Sequence, residues 1–189
     1  MSSAILLPRS GADPFDREEA LNPSAFAGDW VKTAYAKGVP MGGNLMRGKG
    51  VLSFIVQALK DPMGAHLDRI QIVKGWVDAN GVVQEKIHDV VWSAPKQRKQ
   101  VKGKLTSVGD TVNLATASYT NSIGAPELHA VLRDPDFMRG QKAFYYARVL
   151  EIPTPRWTAY DAVRFKVKPA AGAKLEDQER AYTSPIWVR

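Results

Sequence analysis

Short apolar runs separated by turn residues dominate the chain from Val51 onward. Runs of this length, rich in valine, isoleucine and aromatic residues, are typical of β-strands. They predict strands over residues 51–59, 69–78, 82–92, 111–119, 127–133, 142–152 and 182–188. Residues 158–165 are predicted to form a short helix or a turn. The pattern as a whole predicts a mainly β fold, a two-sheet β-sandwich-like domain with one or two short helices.

The dipeptide Asn80-Gly81 separates two of these predicted strands. Asn-Gly between two β-rich runs is a strong hairpin signal, and it favours a type I′ turn with φ > 0 at both central residues. Both arms carry apolar residues on both faces. We therefore expect this hairpin in the middle of a sheet or beneath a second sheet.

The predicted strand over 142–152 ends at a stiff corner. Pro153 and Pro155 fix φ and remove backbone donors, so sheet pairing is expected to stop there. Candidate site residues that combine opposite charges with an aromatic ring surround this corner: Arg148, Glu151, Arg156, Trp157 and Asp161.

Two interpretations of this corner stay open. In the first, ion pairs pin the turn to the sheet and Trp157 lies in the core. In the second, the five residues face a pocket or a partner, and arginine donates bidentate hydrogen bonds to an acidic group.

The first 25 residues follow a different pattern. Pro8, Gly11, Pro14 and Pro23 interrupt every candidate element. We therefore predict an N-terminal arm over 1–25, without regular order unless it docks on something, and a β-rich domain over 26–189.

Charge adds one feature to this picture. The net charge is +7, a balance that suits nucleic acid or another anionic partner. Part of the excess lies in one run: Lys96, Arg98, Lys99, Lys102 and Lys104. This run lacks the interleaved aromatic residues that stack on bases, so we expect a solvated loop and no nucleic-acid partner.

Several classes of site are excluded or disfavoured by composition. The chain has no cysteine, which excludes disulfides, thiolate metal sites and a cysteine nucleophile. No apolar run reaches the roughly 18 residues that span a bilayer, and the first residues lack the pattern of a secretory signal. No membrane partner is therefore expected.

The histidines do not predict a metal site. His66, His88 and His129 show no recognised metal-ligand spacing, and His66 and His88 are expected to face solvent. Asp134 and Asp136 could bind a cation, although a turn role is favoured. No metal ligand, cofactor or catalytic residue is predicted. A small hydrolase using Glu151, Asp161 or His129 is the weakest hypothesis for function.

Several stretches in collinear order resemble one family. They are residues 35–43, 68–76, 123–128, 144–161 and 178–187. Over roughly residues 26–189, the chain resembles the C-terminal portion of the large bacterial proteins called domain of unknown function 3604. Many relatives carry a cysteine where this chain has Pro155, so the resemblance supports no cysteine-dependent role for the corner.

The resemblance has implications for function. The longer relatives look like metal-dependent hydrolases of the polymerase-and-histidinol-phosphatase type, with their metal motifs in an N-terminal part. Those motifs do not occur in this sequence. The resemblance therefore implies a non-catalytic accessory β-domain, a fragment from a truncated or split gene or a misassigned start, which packs against a catalytic domain in a longer or separate chain.

An independent binding module for an anionic partner, such as nucleic acid or a polysaccharide, is the alternative function. The two hypotheses differ in the surface that they require. A docking domain should expose a contiguous apolar patch larger than the few hundred Å² usual for a monomer, and a free-standing binder should not.

Overall fold

The computed structural model of the protein describes residues 3–11, 38–46, 51–138 and 140–189. Its elements, in chain order, are β1 (Ser3–Gly11), β2 (Asn44–Leu45), β3 (Val51–Leu59), β4 (Leu67–Val77), β5 (Val83–Trp92), β6 (Gln100–Val101), β7 (Lys104–Leu105), β8 (Glu127–Arg133), β9 (Ala143–Pro155), α1 (Trp157–Phe165), β10 (Glu176–Tyr182) and β11 (Ile186–Val188).

The strands form two main sheets. One is three-stranded with the order β1-β3-β8, and the other is six-stranded with the order β2-β11-β9-β4-β5 and β10 paired to β9. β6 and β7 form a separate small hairpin. The predicted mainly β fold with a short helix is confirmed.

The core lies between the two main sheets. Alternate residues of β3 are fully buried, among them Leu52, Phe54 and Val56, because side chains of a strand alternate between its faces. They pack in one cluster with Ile72 of β4 and Tyr145 of β9. The Phe54 and Tyr145 rings lie 4.6 Å apart, centroid to centroid. Each fully buried side chain of this kind contributes about 1.5–3 kcal/mol, so this interface holds the two sheets together.

The predicted hairpin is confirmed, but its turn is not type I′. β4 pairs antiparallel with β5 up to Val77 and Val83. Of the two central residues, only Gly81 has positive φ, at 79°. Its N–H donates to the Asp78 carbonyl at 3.1 Å, and Asp78 Oδ1 accepts from the Asn80 N–H at 2.9 Å. The aspartate thus stabilises a longer turn that ends in a left-handed glycine.

The predicted strand over 111–119 is wrong. This segment is a turn closed by an isolated bridge between Asn113 and Ser118. The Asn113 side chain accepts a hydrogen bond from the Ala115 N–H at 3.0 Å, and Ala117 has φ 47°. Local side-chain hydrogen bonds therefore compete successfully with sheet pairing.

The prolines of β9 do not stop its pairing. β4 covers β9 as far as Glu151, whereas β10 continues along the other edge to pair with Pro153 and Pro155. Both prolines lie beyond the last residue that β4 covers, so a missing donor there costs little. The predicted strand over 182–188 is not continuous, because a break at residues 183–185 separates β10 from β11.

Part of the predicted N-terminal arm is docked. Residues 3–11 form β1, which pairs antiparallel with β3 over its whole length. Pro8 pairs with Phe54 inside this strand, so the expectation that it breaks every element is wrong here. β1 lies at the edge of its sheet, where proline is tolerated. Residues 12–25 lie outside the described part of the chain.

Candidate functional site

The corner after β9 leads directly into α1. Arg156 is the N-cap residue of the helix, and its N–H donates to the Leu175 carbonyl at 2.8 Å. Trp157, the first helical residue, is 66% exposed. The interpretation that places Trp157 in the core is therefore wrong, and the corner presents its largest aromatic side chain to solvent.

The other predicted corner residues are spread over a wider area. Arg148 Nε donates to Gln71 Oε1 on β4 at 2.8 Å, so this side chain is held over the sheet. Glu151 lines an open cavity of about 680 Å³ together with Asp61, Glu179 and other residues of β10. Asp161 lies partly buried on α1. Whether these residues face a partner stays a prediction.

Helix α1 carries a large exposed apolar surface. Tyr160 is 46% exposed and Phe165 is 62% exposed, in addition to Trp157. Of the helical residues, only Ala159 is buried. The Arg164 guanidinium lies over the Phe165 ring, 5.6 Å from its centroid. The helix thus combines aromatic rings with an arginine on a face that the sheets leave uncovered.

A second polar constellation lies between the sheets. The Lys74 ammonium of β4, with a side chain only 1% exposed, donates to Asp134 Oδ2 at 2.8 Å and to the Asp136 carbonyl at 2.8 Å. The Tyr145 hydroxyl donates to the same Asp134 oxygen at 2.7 Å. The Trp76 ring lies 5.2 Å from Lys74 Nζ. The buried ammonium is therefore neutralised by a carboxylate and flanked by an aromatic ring.

This arrangement shifts the ionisation of its members. Burial alone would raise the pKa of Asp134, but hydrogen bonds from Lys74, Tyr145 and the Asp136 backbone outweigh burial and hold that pKa below its usual value. Burial and the hydrogen bond to Asp134 raise the pKa of Tyr145. The carboxylate thus stays ionised and the phenol stays protonated, as the hydrogen bond from Tyr145 to Asp134 requires.

His88 lies beside this buried ion pair. Its ring, Asp134 and Asp136 place ligand-type atoms within 4.8 Å of one another. Burial lowers the pKa of His88, and Lys86 acts in the same direction. The expectation that His88 simply faces solvent is wrong, because the ring is partly buried and its Nε2 has no hydrogen-bond partner among the residues that the structure describes.

Chemically, this cluster is already supplied with cations. Lys74 binds Asp134, and the Lys86 ammonium binds Asp136. A divalent ion would have to displace both ammonium groups from the carboxylates. We therefore assign these groups a structural role. Sequence reasoning missed the cluster because its members lie on different elements, with Lys74 and Asp134 separated by 60 positions.

One member of the basic run is not solvated. Arg98 is buried, and its Nη2 lies 2.7 Å from Asp68 Oδ1. It also donates to the Thr106 carbonyl at 2.9 Å. Arg98 thus fastens the loop to the sheet, whereas Lys96, Lys99, Lys102 and Lys104 are exposed as predicted.

No helix among the described residues is long and apolar enough to cross a membrane. No curated protein and no solved structure matches the chain. A family model described as "Protein of unknown function (DUF3604)" matches residues 17–189. The match begins inside the segment 1–25 that was expected to lie outside the resemblance. It covers most of the sequence, and the chain therefore belongs to the DUF3604 family.

Proposed function

We propose that this chain is a non-catalytic accessory β-domain that docks onto a catalytic domain through α1. The observation that carries the proposal is the exposure of Trp157, Tyr160 and Phe165 on one short helix. Three large aromatic side chains exposed on nine residues exceed the scattered exposure that is normal for a monomer.

The composition of this surface suits a protein interface. Tyrosine, tryptophan and arginine are the residues most enriched among those that dominate binding energy. Here Trp157 and Tyr160 supply the aromatic part, and Arg164 supplies a planar donor beside Phe165. Arg156 precedes the helix and adds a second guanidinium at the rim. An apolar centre with a charged rim is the usual anatomy of such contacts.

The proposed partner follows from the resemblance to longer relatives. A metal-dependent hydrolase domain of the polymerase-and-histidinol-phosphatase type is the catalytic unit that this resemblance implies. In this proposal the β-domain covers one wall of the hydrolase and contributes no metal ligand. Consistent with this role, the two carboxylates that cluster with His88 already pair with lysines.

The test uses the catalytic domain of a longer family member, produced separately, and measures its affinity for this chain by calorimetry. Trp157→Ala should weaken binding at least tenfold, about 1.4 kcal/mol, because a central aromatic residue of an interface contributes at least this much. Trp187→Ala is the matched control, since Trp187 is 44% exposed and lies on β11, away from α1. Failure of the two domains to associate, or equal losses with both variants, would refute docking through α1.

The alternative, a binding module for an anionic partner, is favoured by one observation. Lys96, Lys99, Lys102 and Lys104 are exposed around the small hairpin of β6 and β7. This alternative predicts binding to a polyanion such as heparin that weakens steeply as salt is raised. It also predicts that Trp157→Ala leaves this binding unchanged, so the two functions are separable in the same set of variants.

A further inference from the structure

The outward face of the six-stranded sheet carries a continuous row of aromatic rings. Trp187 of β11, Phe144 and Tyr146 of β9, and Tyr182 of β10 form this row. Ring centroids lie 5.4 Å apart from Trp187 to Phe144, 6.4 Å from Phe144 to Tyr146 and 6.1 Å from Tyr146 to Tyr182. Its two ends are the most open, with Trp187 44% and Tyr182 56% exposed.

The backbone beneath the row is shaped to hold it. Gly75 pairs with Phe144 across β4 and β9. A Cβ at Gly75 would lie 2.3 Å from Cζ of the Phe144 ring, so the ring rests directly on the glycine backbone. This contact fixes the ring without a ligand. A surface held in place before binding loses less conformational entropy when it binds.

Open depressions lie at both ends of the row. At the Trp187 end, a groove of about 440 Å³ is lined by Trp76, Val83 and Phe144, and its charged residues are Glu85, Lys142 and Arg189. At the Tyr182 end lies the cavity of about 680 Å³ that Glu151 lines. The two depressions and the row between them make a long, shallow track that suits an elongated ligand.

Polar groups on the same face are fixed in position by hydrogen bonds. Arg148 follows Tyr146 on the outward face of β9 and donates to Gln71. Gln71 Nε2 in turn donates to Asp89 Oδ1 at 2.7 Å. Asp89 and Gln71 are nearly buried, whereas Arg148 is partly exposed. These hydrogen bonds hold the Arg148 guanidinium in a fixed position beside the rings.

We propose that this face, which we call the aromatic track, binds a neutral oligosaccharide. A sugar ring has a flat C–H surface that stacks on an aromatic ring and a rim of hydroxyls that hydrogen-bond to planar polar side chains. Open aromatic rings next to a few fixed polar groups match both features. A charged ligand would meet both signs of charge at each end of the track, with Glu85 opposing Lys142 and Arg189 in the groove and Glu179 opposing Arg180 in the cavity. The four rings lie on β9, β10 and β11 and none lies on α1, so this proposal does not depend on the docking proposal.

The test titrates the full chain with soluble neutral hexaoses of β-1,4-linked glucose, xylose, mannose and N-acetylglucosamine, followed by calorimetry. Oligogalacturonate serves as the charged counterpart. At least one neutral hexaose should bind. Trp187→Ala and Tyr182→Ala should each weaken that binding at least tenfold. Trp157→Ala is the matched aromatic control and should leave it unchanged.

Thermal melts of all three variants show whether each remains folded. The proposal is overturned if no neutral hexaose binds at millimolar concentration, if only oligogalacturonate binds, or if Trp187→Ala and Tyr182→Ala bind as tightly as the unmodified chain. Association with a protein through the same face, in the absence of saccharide binding, would also overturn it.

Discussion

The two faces of β9 carry opposite kinds of chemistry on the same 13 residues. On the inner face, the fully buried Tyr145 hydroxyl hydrogen-bonds Asp134, which also binds the Lys74 ammonium. On the outer face, Phe144 and Tyr146 belong to a row of rings that ends in exposed aromatic residues. Aromatic residues therefore lie on both faces of this strand, and the buried charges that its inner face meets come from β4 and from the turn after β8.

This difference between the two faces of β9 separates stabilising groups from groups available to a ligand. Charges between the sheets require complete pairing, since an unpaired buried charge costs several kcal/mol. The exposed rings of Trp187 and Tyr182 contribute less to stability than buried rings do, because much of their surface stays in contact with water after folding. The inner polar groups are thus committed to structure, and the outer rings are the ones that a ligand can reach. The predictions below test this division.

Asp134→Ala should cause the largest loss. It leaves the buried Lys74 ammonium without its carboxylate, and breaking a buried ion pair costs about 3–5 kcal/mol. Chemical denaturation at neutral pH measures the change in free energy of unfolding. Asp136→Ala is the control, because its side chain is 42% exposed and its ion pair with Lys86 contributes at most about 1 kcal/mol. Equal losses in the two variants would show that the inner pair is no more important than a surface pair.

Gly75→Ala should have an intermediate effect, on the outer face. The new methyl group overlaps the Phe144 ring, and overpacking of this kind costs about 1–3 kcal/mol, reduced slightly by the lower entropy of the unfolded chain. Phe144→Ala in the same chain should relieve the overlap, so a double-mutant cycle should give a clear coupling free energy. Additive losses would mean that Phe144 does not rest on Gly75.

Acidification should produce the smallest effect, through His88. Its folded-state pKa is lowered by burial, so the native state favours the neutral ring. Stability is therefore complete above the ordinary histidine pKa, near 6.5, and falls as pH drops through the lower folded value. Asp134, whose pKa is also lowered, adds a separate loss only in the range where carboxylates become protonated.

His88→Gln should flatten the first part of this profile. Unfolding titrations at pH 7.5, 6 and 5 would measure it, since glutamine does not titrate. Parallel profiles for the two proteins would show that His88 does not sense Lys86, Lys74, Asp134 and Asp136 in the way that the geometry indicates.

Local patterning was sufficient for much of the fold. The apolar run over 51–59 became β3, the run over 127–133 became β8, and Asn80-Gly81 lies in the turn of a real hairpin. The segment over 111–119 was misread because Asn113 hydrogen-bonds its own backbone, which β-propensity does not register. Pro153 and Pro155 were misread because they lie beyond the last residue that β4 covers, and β10 pairs with β9 across both of them along the other edge.

Of the candidate site, the sequence located the corner, but it settled neither the exposure of Trp157 nor the partners of the other residues. Trp157 and Arg156 do lie where β9 meets α1. Arg148 instead contacts Gln71, a residue 77 positions away in sequence. The aromatic track was not anticipated, although the alternating rings of Phe144 and Tyr146 were a visible signal of an aromatic outer face.

By itself, the sequence determined the elements that short-range physics specifies: most of the β-strands, the main hairpin and the position of the corner after β9. Period-2 alternation, glycine and asparagine in turns, and proline geometry act within a few residues, so they can be read along the chain. The tertiary structure alone decided which strands are neighbours. That order brings Lys74, His88 and Asp134 together, buries Arg98 against Asp68, and aligns four rings from three strands into one track. Such contacts depend on strand order and register over long sequence separations, which no local pattern encodes.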